Sequence, residues 1–139
     1  MNPDKIVEKT VENELLLDLE SFGIEARHAI IDWPGFPDII AIGKRIVLIE
    51  MKYDRKKEGS LIYEIMESSQ PVFIHNVKKA GFDHIFICVY HMGKFYLYSP
   101  NDILMASMKD LKINQLPCVM KGSSIDIAGF IRSVCSEKL

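Results

Sequence analysis

The sequence lacks a long apolar run. No stretch of its 139 residues approaches the roughly 20 apolar residues that a membrane-spanning helix needs. The N-terminus is charged and polar, so we expect no secretory signal peptide and a cytoplasmic protein. Cysteine is scarce, and Cys88, Cys118 and Cys135 are an odd number without the spacing of metal ligands. That pattern predicts reduced structural thiols, in agreement with a cytoplasmic location.

Neither sign of charge is in large excess, because 17 Lys and Arg face 19 Asp and Glu, for a net charge of −2. A protein whose only task is to coat nucleic acid would be basic, so the composition argues against that class. It does not exclude a nuclease, whose site must be acidic to hold a metal ion. The sequence also has neither a glycine-rich phosphate loop nor a nucleophile elbow.

No linker, internal repeat or low-complexity segment interrupts the chain. Its 48% hydrophobic and 26% charged residues are ordinary for a globular protein. We therefore predict one domain over residues 1–139, with a core over about 4–100 and a small C-terminal elaboration over about 101–139.

The apolar pattern predicts an α/β order of elements. Apolar residues recur at helical spacing from Asp4, a candidate cap, to Phe22, and Gly23 ends this helix. The alternation after Gly23 predicts a strand as far as Ile31. The further predicted elements are a hairpin over 35–52, a helix capped by Ser68 and running to about 80, strands over 83–90 and 95–98, a short strand over 118–120, and a helix over 124–136. This order predicts a mixed sheet with flanking helices.

The hairpin brings acidic residues together. If Ile42 faces Ile46 across a three-residue turn, residues whose numbers add up to about 88 lie opposite each other. Asp38 then faces Glu50, and Lys52 points to the same face. Opposite side chains in such a pair have Cβ atoms about 4.5–5.5 Å apart, so the two carboxylates repel unless a cation lies between them.

This arrangement suits magnesium, which prefers oxygen ligands and takes only one or two protein carboxylates. A neighbouring lysine could orient an attacking water or stabilise charge on a phosphoryl group. The alternative is a surface hairpin that ends in solvated charges. Pro37 directly before Asp38, together with the opposed acids, favours the metal site.

Pro37-Asp38, followed after a strand-length gap by Glu50-Met51-Lys52, resembles the signature of the PD-(D/E)xK nucleases. The pattern is most similar to two branches, the virus-type replication-repair nuclease (VRR-NUC) modules and the archaeal Holliday junction resolvases. The resemblance covers about residues 8–100. It implies a restriction-endonuclease-like core, in which a mixed central β-sheet is flanked by helices. It also implies that Asp38 and Glu50 bind Mg²⁺ (with Mn²⁺ as a substitute), that the Met51 carbonyl completes the site, and that Lys52 positions or activates water.

In the resembled family a glutamate on the first helix joins this set, and Glu12 matches that position best. Glu12 lies on the apolar stripe, where a carboxylate is costly unless it is paired or binds a metal. Glu8 lies on the same face and is the reserve candidate, whereas Glu14 points further round. The alternative is that Glu12 reaches solvent from the edge of the stripe.

Three further groups of residues are open to two interpretations. Gln70 matches a glutamine at the start of a helix in the virus-type branch, although Pro71 departs from that pattern and polar helix-start residues are common. The basic residues that follow the hairpin either contact nucleic acid or form a solvated loop: Arg55, Lys56 and Lys57. Trp33 and Phe36 could stack on a base or sugar, but packing of their loop is favoured. His28 is not assigned to the metal set.

These patterns predict a magnesium-dependent endodeoxyribonuclease, a phosphodiester hydrolase. The resemblance indicates structured or branched DNA in replication, repair or recombination as its substrate. A homodimer is expected, because a junction has two matched cuts. The alternative is a non-catalytic nucleic-acid or protein-binding module on the same fold, and the choice between DNA and RNA stays open.

Overall fold

Six strands form one sheet in the computed structural model, which describes residues 2–103 and 110–136. The strands lie in chain order, and β3 and β4 are parallel while the other neighbours are antiparallel. The helices are α1 (Pro3–Ser21), α2 (Ile62–Ile65), α3 (Ser69–Lys79) and α4 (Ser124–Ser136). The strands are β1 (Glu25–His28), β2 (Ile39–Ile42), β3 (Ile46–Asp54), β4 (Ile85–His91), β5 (Lys94–Tyr98) and β6 (Met120–Gly122). Within these ranges, none of the helices combines the length and apolar character of a membrane span.

Each face of the sheet has its own apolar core. On one face, α1 and α4 pack through residues such as Leu15 and Ile131 against alternate strand positions. On the other face, α2 and α3 pack through residues such as Ile62 and Phe73. The predicted fold class is confirmed: this is an α/β protein in which a mixed central sheet is flanked by helices.

The predicted hairpin register is confirmed. Ile39 pairs with Ile49 and Ile42 pairs with Ile46, so the numbers of opposed residues add up to 88. Leu48 belongs to the core beneath α3, and side chains along a strand alternate between faces. Glu50 and Lys52 therefore lie on the face covered by α2 and α3.

Two predicted boundaries near the N-terminus are wrong. Asn2, rather than Asp4, caps α1, because its side-chain oxygen accepts a hydrogen bond from the Asp4 N–H at 2.9 Å. The first strand ends at His28, and Ile30 is 96% exposed. Its partner strand β2 begins at Ile39, which pairs with His28. One further hydrogen bond joins the two segments, from the Ala29 N–H to the Asp38 carbonyl oxygen at 2.7 Å, and the pairing ends there.

The C-terminal elaboration extends the core. The last helix has the predicted bounds, whereas the strand predicted over 118–120 lies at Met120–Gly122, where it pairs with β5. Residues 104–109 and 137–139 of the elaboration lie outside the described residues. All three cysteines are free thiols, and Cys88 is buried in the core as predicted.

Candidate active site

The polar positions of β3 are buried. Val47, Ile49 and Met51 face the α1 core, whereas the opposite face of the strand carries Glu50 and Lys52 after Leu48. Both charged side chains are almost inaccessible to solvent. Burying a charge is costly unless it is paired, so their contacts decide what this part of the strand can do.

Glu50 is only partly satisfied. Its Oε2 accepts a hydrogen bond from the Gln70 amide at 2.6 Å and lies 3.5 Å from the Lys52 ammonium nitrogen. Its Oε1 is buried and has no hydrogen-bond donor among the described residues. Burial and the neighbouring Asp38 raise the pKa of Glu50 to about 9. Without a cation, Glu50 therefore holds a proton at neutral pH.

Asp38 is fixed by the hairpin backbone. It stands directly before β2, and its Oδ2 accepts a hydrogen bond from the Met51 N–H at 2.8 Å. The side chain is half-buried, and it contributes to the raised pKa of Glu50. The predicted approach of the two acids therefore occurs in the structure.

Helix α1 adds a second group of acids. A cleft of about 170 Å³ separates this helix from Asp38 and Met51, and Glu8 and Glu12 line its helical side together with Lys5 and Lys9. Burial and Asp38 raise the pKa of Glu12, and burial raises that of Glu8. The structure thus brings both Glu12 and Glu8 to the cleft, whereas Glu14 is exposed and does not line it.

His28 reaches the site through Glu12, a contact that the sequence does not predict. Its Nδ1 lies 2.5 Å from Glu12 Oε2, and Lys9 Nζ lies 3.4 Å from the same oxygen. The register pairs His28 with Ile39, next to Asp38. This position next to Asp38 could have identified His28 as a candidate site residue, but only if the end of β1 had been known.

Gln70 lies in the first turn of α3 and is buried. Its amide nitrogen binds Glu50, and its amide oxygen accepts a hydrogen bond from the Glu67 N–H at 2.9 Å. Pro71 is tolerated because the N–H that it lacks is not needed in the first helical turn. Ser68 is the cap residue as predicted, but its side chain makes no capping hydrogen bond.

Hydrogen bonds with two buried side chains, Asp54 and His91, fix the basic loop after β3. The buried Asp54 carboxylate accepts hydrogen bonds from the Ser60 N–H at 2.7 Å, the Ser60 hydroxyl at 2.8 Å and the Lys56 N–H at 3.1 Å. His91 Nε2 lies 2.7 Å from the Lys56 carbonyl oxygen. The three basic side chains are exposed, and two of them are paired, Lys56 with Glu64 at 2.7 Å and Arg55 with Asp4 at 3.8 Å.

The donor set suits magnesium. Within the described ranges, no three His, Cys, Asp or Glu side chains are arranged to hold a metal ion together. Magnesium, however, commonly takes only one or two protein carboxylates and keeps several waters. The Asp38–Glu50 pair could supply those carboxylates, and Glu50 Oε1, which has no donor among the described residues, is a buried acceptor that a cation would satisfy.

Comparisons with known proteins find similarity to solved structures. No protein-family model and no curated protein matches the chain. Among solved structures, the chain is similar to Hjc, a Holliday junction resolvase from the archaeal hyperthermophile Archaeoglobus fulgidus. The identity is 17% and the TM-score is 0.49, over 68% of this chain and 74% of the resolvase. Identity this low says nothing about the activity of this chain.

Proposed function

We propose that this protein is a magnesium-dependent nuclease that hydrolyses phosphodiester bonds of structured or branched DNA in replication, repair or recombination. The observation that carries the proposal is the buried Glu50, which lies beside Asp38 and Lys52 and has one oxygen for which the described part of the chain offers no donor. A buried acid in this state is expected at a functional site, because its few contacts do not offset what its burial costs in stability.

Asp38 and Glu50 would hold the metal ion, with the Met51 carbonyl and Glu12 completing the set. Asp38 is oriented by the Met51 N–H, and Glu50 is oriented by the Gln70 amide. Magnesium, when bound, neutralises the acidic pair and stabilises negative charge on the phosphate. Mn²⁺ has the same preference for oxygen ligands and would substitute.

Lys52 would act on the attacking water. Its side chain is buried and its ammonium group lies beside Glu50, so solvent screens its charge only weakly. In hydrolysis, the water oxygen bonds to phosphorus, the phosphorus–oxygen ester bond breaks, and a proton ends on the leaving oxygen. Lys52 can orient that water and stabilise the charge that develops on the phosphoryl oxygens.

The exposed basic loop offers a contact surface for the DNA backbone. Arg55, Lys56 and Lys57 follow directly after the end of β3, the strand that carries Glu50 and Lys52. Phosphate contacts of this kind position a nucleic acid without reading its sequence. A two-fold dimer would present two such sites for matched cuts in a branched substrate.

A cleavage assay tests the proposal. The wild type is incubated with a four-way junction, a flap, a plain duplex and a single strand, in magnesium and then in manganese. Asp38→Asn and Lys52→Ala are run beside it, with Asp83→Asn as the matched control, because Asp83 is an exposed acid outside the site.

Metal-dependent cutting that is lost in Asp38→Asn and Lys52→Ala but kept in Asp83→Asn supports the nuclease. Full activity in Asp38→Asn would refute the site assignment. Tight DNA binding without cutting, unchanged in both site variants, would favour a non-catalytic binding module.

A further inference from the structure

An open groove of about 500 Å³ lies between the loop that precedes Asp38 and helix α3. Its apolar walls include Trp33 and Val72, which are 58% and 59% exposed. Ser68, Ser69 and Asn76 add polar groups, and none of the lining residues carries a charge. Two large apolar side chains therefore face solvent in one concave surface.

Trp33 is held in place although more than half of it is exposed. Its ring packs edge-on against Phe73, with centroids 5.3 Å apart, and its centroid lies 6.1 Å from that of Phe36. Phe36 packs in turn against Phe73 at 5.3 Å. Phe36 therefore packs its loop, as the sequence favours. Trp33 packs as well, but its exposed part is also available to a ligand.

Gly35 allows the loop to lie against the start of α3. A Cβ atom at this position would fall 2.4 Å from the Ser69 carbonyl oxygen, and the backbone has a φ of +83°. Any other residue would force the loop away from the helix and change the groove. The groove is therefore fixed by the local backbone rather than by side-chain placement alone.

Two short stretches of the chain connect the groove to residues of the candidate active site. Ser69 in its wall directly precedes Gln70, whose amide binds Glu50. Phe36, which supports Trp33, stands two residues before Asp38, so their Cα atoms are at most about 7 Å apart. A nucleotide next to a phosphate at the acids would lie beside this aromatic surface.

We infer that Trp33 and the groove hold an unpaired nucleobase beside the phosphate that is cut. The inference rests on the proposed nuclease function and narrows its substrate to DNA with a flap, a splayed end or another unstacked nucleotide. An exposed, rigid aromatic ring offers a stacking surface to any base, and the serines and Asn76 can bond to base edges. The lack of lining charge makes the groove unsuited to phosphate.

Trp33 is the only tryptophan in the chain, so its fluorescence reports directly on the groove. The full-length Asp38→Asn variant, which leaves the DNA uncut, is titrated with a 12-nucleotide single strand, a flap and a blunt duplex. We expect the single strand and the flap to quench Trp33 emission and to protect it from acrylamide, and the duplex to do neither.

Binding of labelled oligonucleotides to Trp33 variants gives the second measurement. In the same Asp38→Asn background, Trp33→Leu should weaken binding of the single strand and the flap by about five- to hundredfold, because the stacking surface is lost while an apolar side chain is kept. Duplex affinity should stay within about twofold, and Trp33→Phe should recover most of the loss.

The outcomes separate this inference from the nuclease proposal. Unchanged Trp33 emission, or equal quenching by the duplex, overturns the inference even if wild-type protein cuts DNA. Emission that changes with protein concentration alone assigns the groove to a second copy of the chain and also overturns it. Quenching by unpaired DNA in a protein that cuts no substrate upholds the base-binding groove and refutes the nuclease.

Discussion

Glu50 and Asp54 are two buried carboxylates on the same face of β3, 4% and 2% exposed. Asp54 accepts three hydrogen bonds from its own loop, two from Ser60 and one from the Lys56 N–H. Glu50 accepts one amide hydrogen bond and lies 3.5 Å from the Lys52 ammonium nitrogen. Its other oxygen has no donor within residues 2–103 and 110–136, and the neighbouring Asp38 helps to raise its pKa.

The difference lies in what each acid does for the fold. Asp54 replaces its lost hydration with donors of the chain, so its burial organises the loop that carries the basic residues. Glu50 loses its hydration without full replacement, and burial next to a second acid is unfavourable for its charged form. The contrast between the two carboxylates indicates a structural role for Asp54 and favours a functional role for Glu50.

The largest effect is expected when Glu50 loses its charge. Glu50→Gln keeps the shape of the side chain but removes the carboxylate that we propose as a metal ligand. Cleavage should therefore fall at least about a thousandfold, or ~4 kcal/mol in barrier. Cleavage rates are measured on the best substrate of the wild type, and thermal melting checks the fold. Glu14→Gln, an exposed acid on α1, is the control. A decrease in the cleavage rate of tenfold or less would contradict the functional role that distinguishes Glu50 from Asp54.

Removing the charge of Asp54 should act on stability instead. Asp54→Asn puts an amide group where three donors converge, so at least one N–H or hydroxyl group is left unpaired. The expected cost is about 2–4 kcal/mol, which lowers Tm by roughly 10 °C. Urea and thermal unfolding measure it, with Asp83→Asn as control. Cleavage per folded molecule should remain, and a variant as stable as wild type would show that the three hydrogen bonds contribute nothing.

The pH dependence of stability sharpens the comparison. Burial and Asp38 raise the pKa of Glu50 to about 9, from 4.5 for the free side chain. Between these values the unfolded chain has lost the proton that the folded chain keeps, so the stability of the metal-free protein falls as pH rises. In EDTA, wild type should lose several degrees of Tm relative to Glu50→Gln between about pH 5 and pH 9. Added magnesium should restore wild type and leave the variant unchanged. Parallel melting curves would contradict the raised pKa.

The local geometry of the hairpin could be predicted from the sequence. A three-residue turn fixes antiparallel register, so the pairing of Ile42 with Ile46 followed from counting, and with it the approach of Asp38 to Glu50. The helical periodicity likewise gave α1 and α4, and it placed Glu12 on the buried stripe. These features depend on interactions between residues that are close in sequence.

Contacts between distant elements were harder to predict. The Gln70–Glu50 hydrogen bond depends on how α3 crosses the sheet, which the predicted order of elements does not determine. The role of Asp54 could not be distinguished from that of Glu50, because the three donors come from a loop whose shape no periodicity encodes. His28 was missed for the same reason, since its contact with Glu12 joins β1 to α1.

The smallest effect is expected at the loop that Asp54 organises, where two neighbouring lysines differ. Lys56 is paired with Glu64, whereas Lys57 has no ion pair with any residue in the ranges 2–103 and 110–136. Lys57→Ala should therefore weaken DNA binding a few-fold and reduce the salt slope of the logarithm of affinity by about 1, whatever the DNA sequence. Lys56→Ala should do less, because its charge is already partly neutralised. Fluorescence anisotropy over a salt series measures both, and equal slopes for the two variants would show that the Glu64 pair does not withhold Lys56 from the DNA.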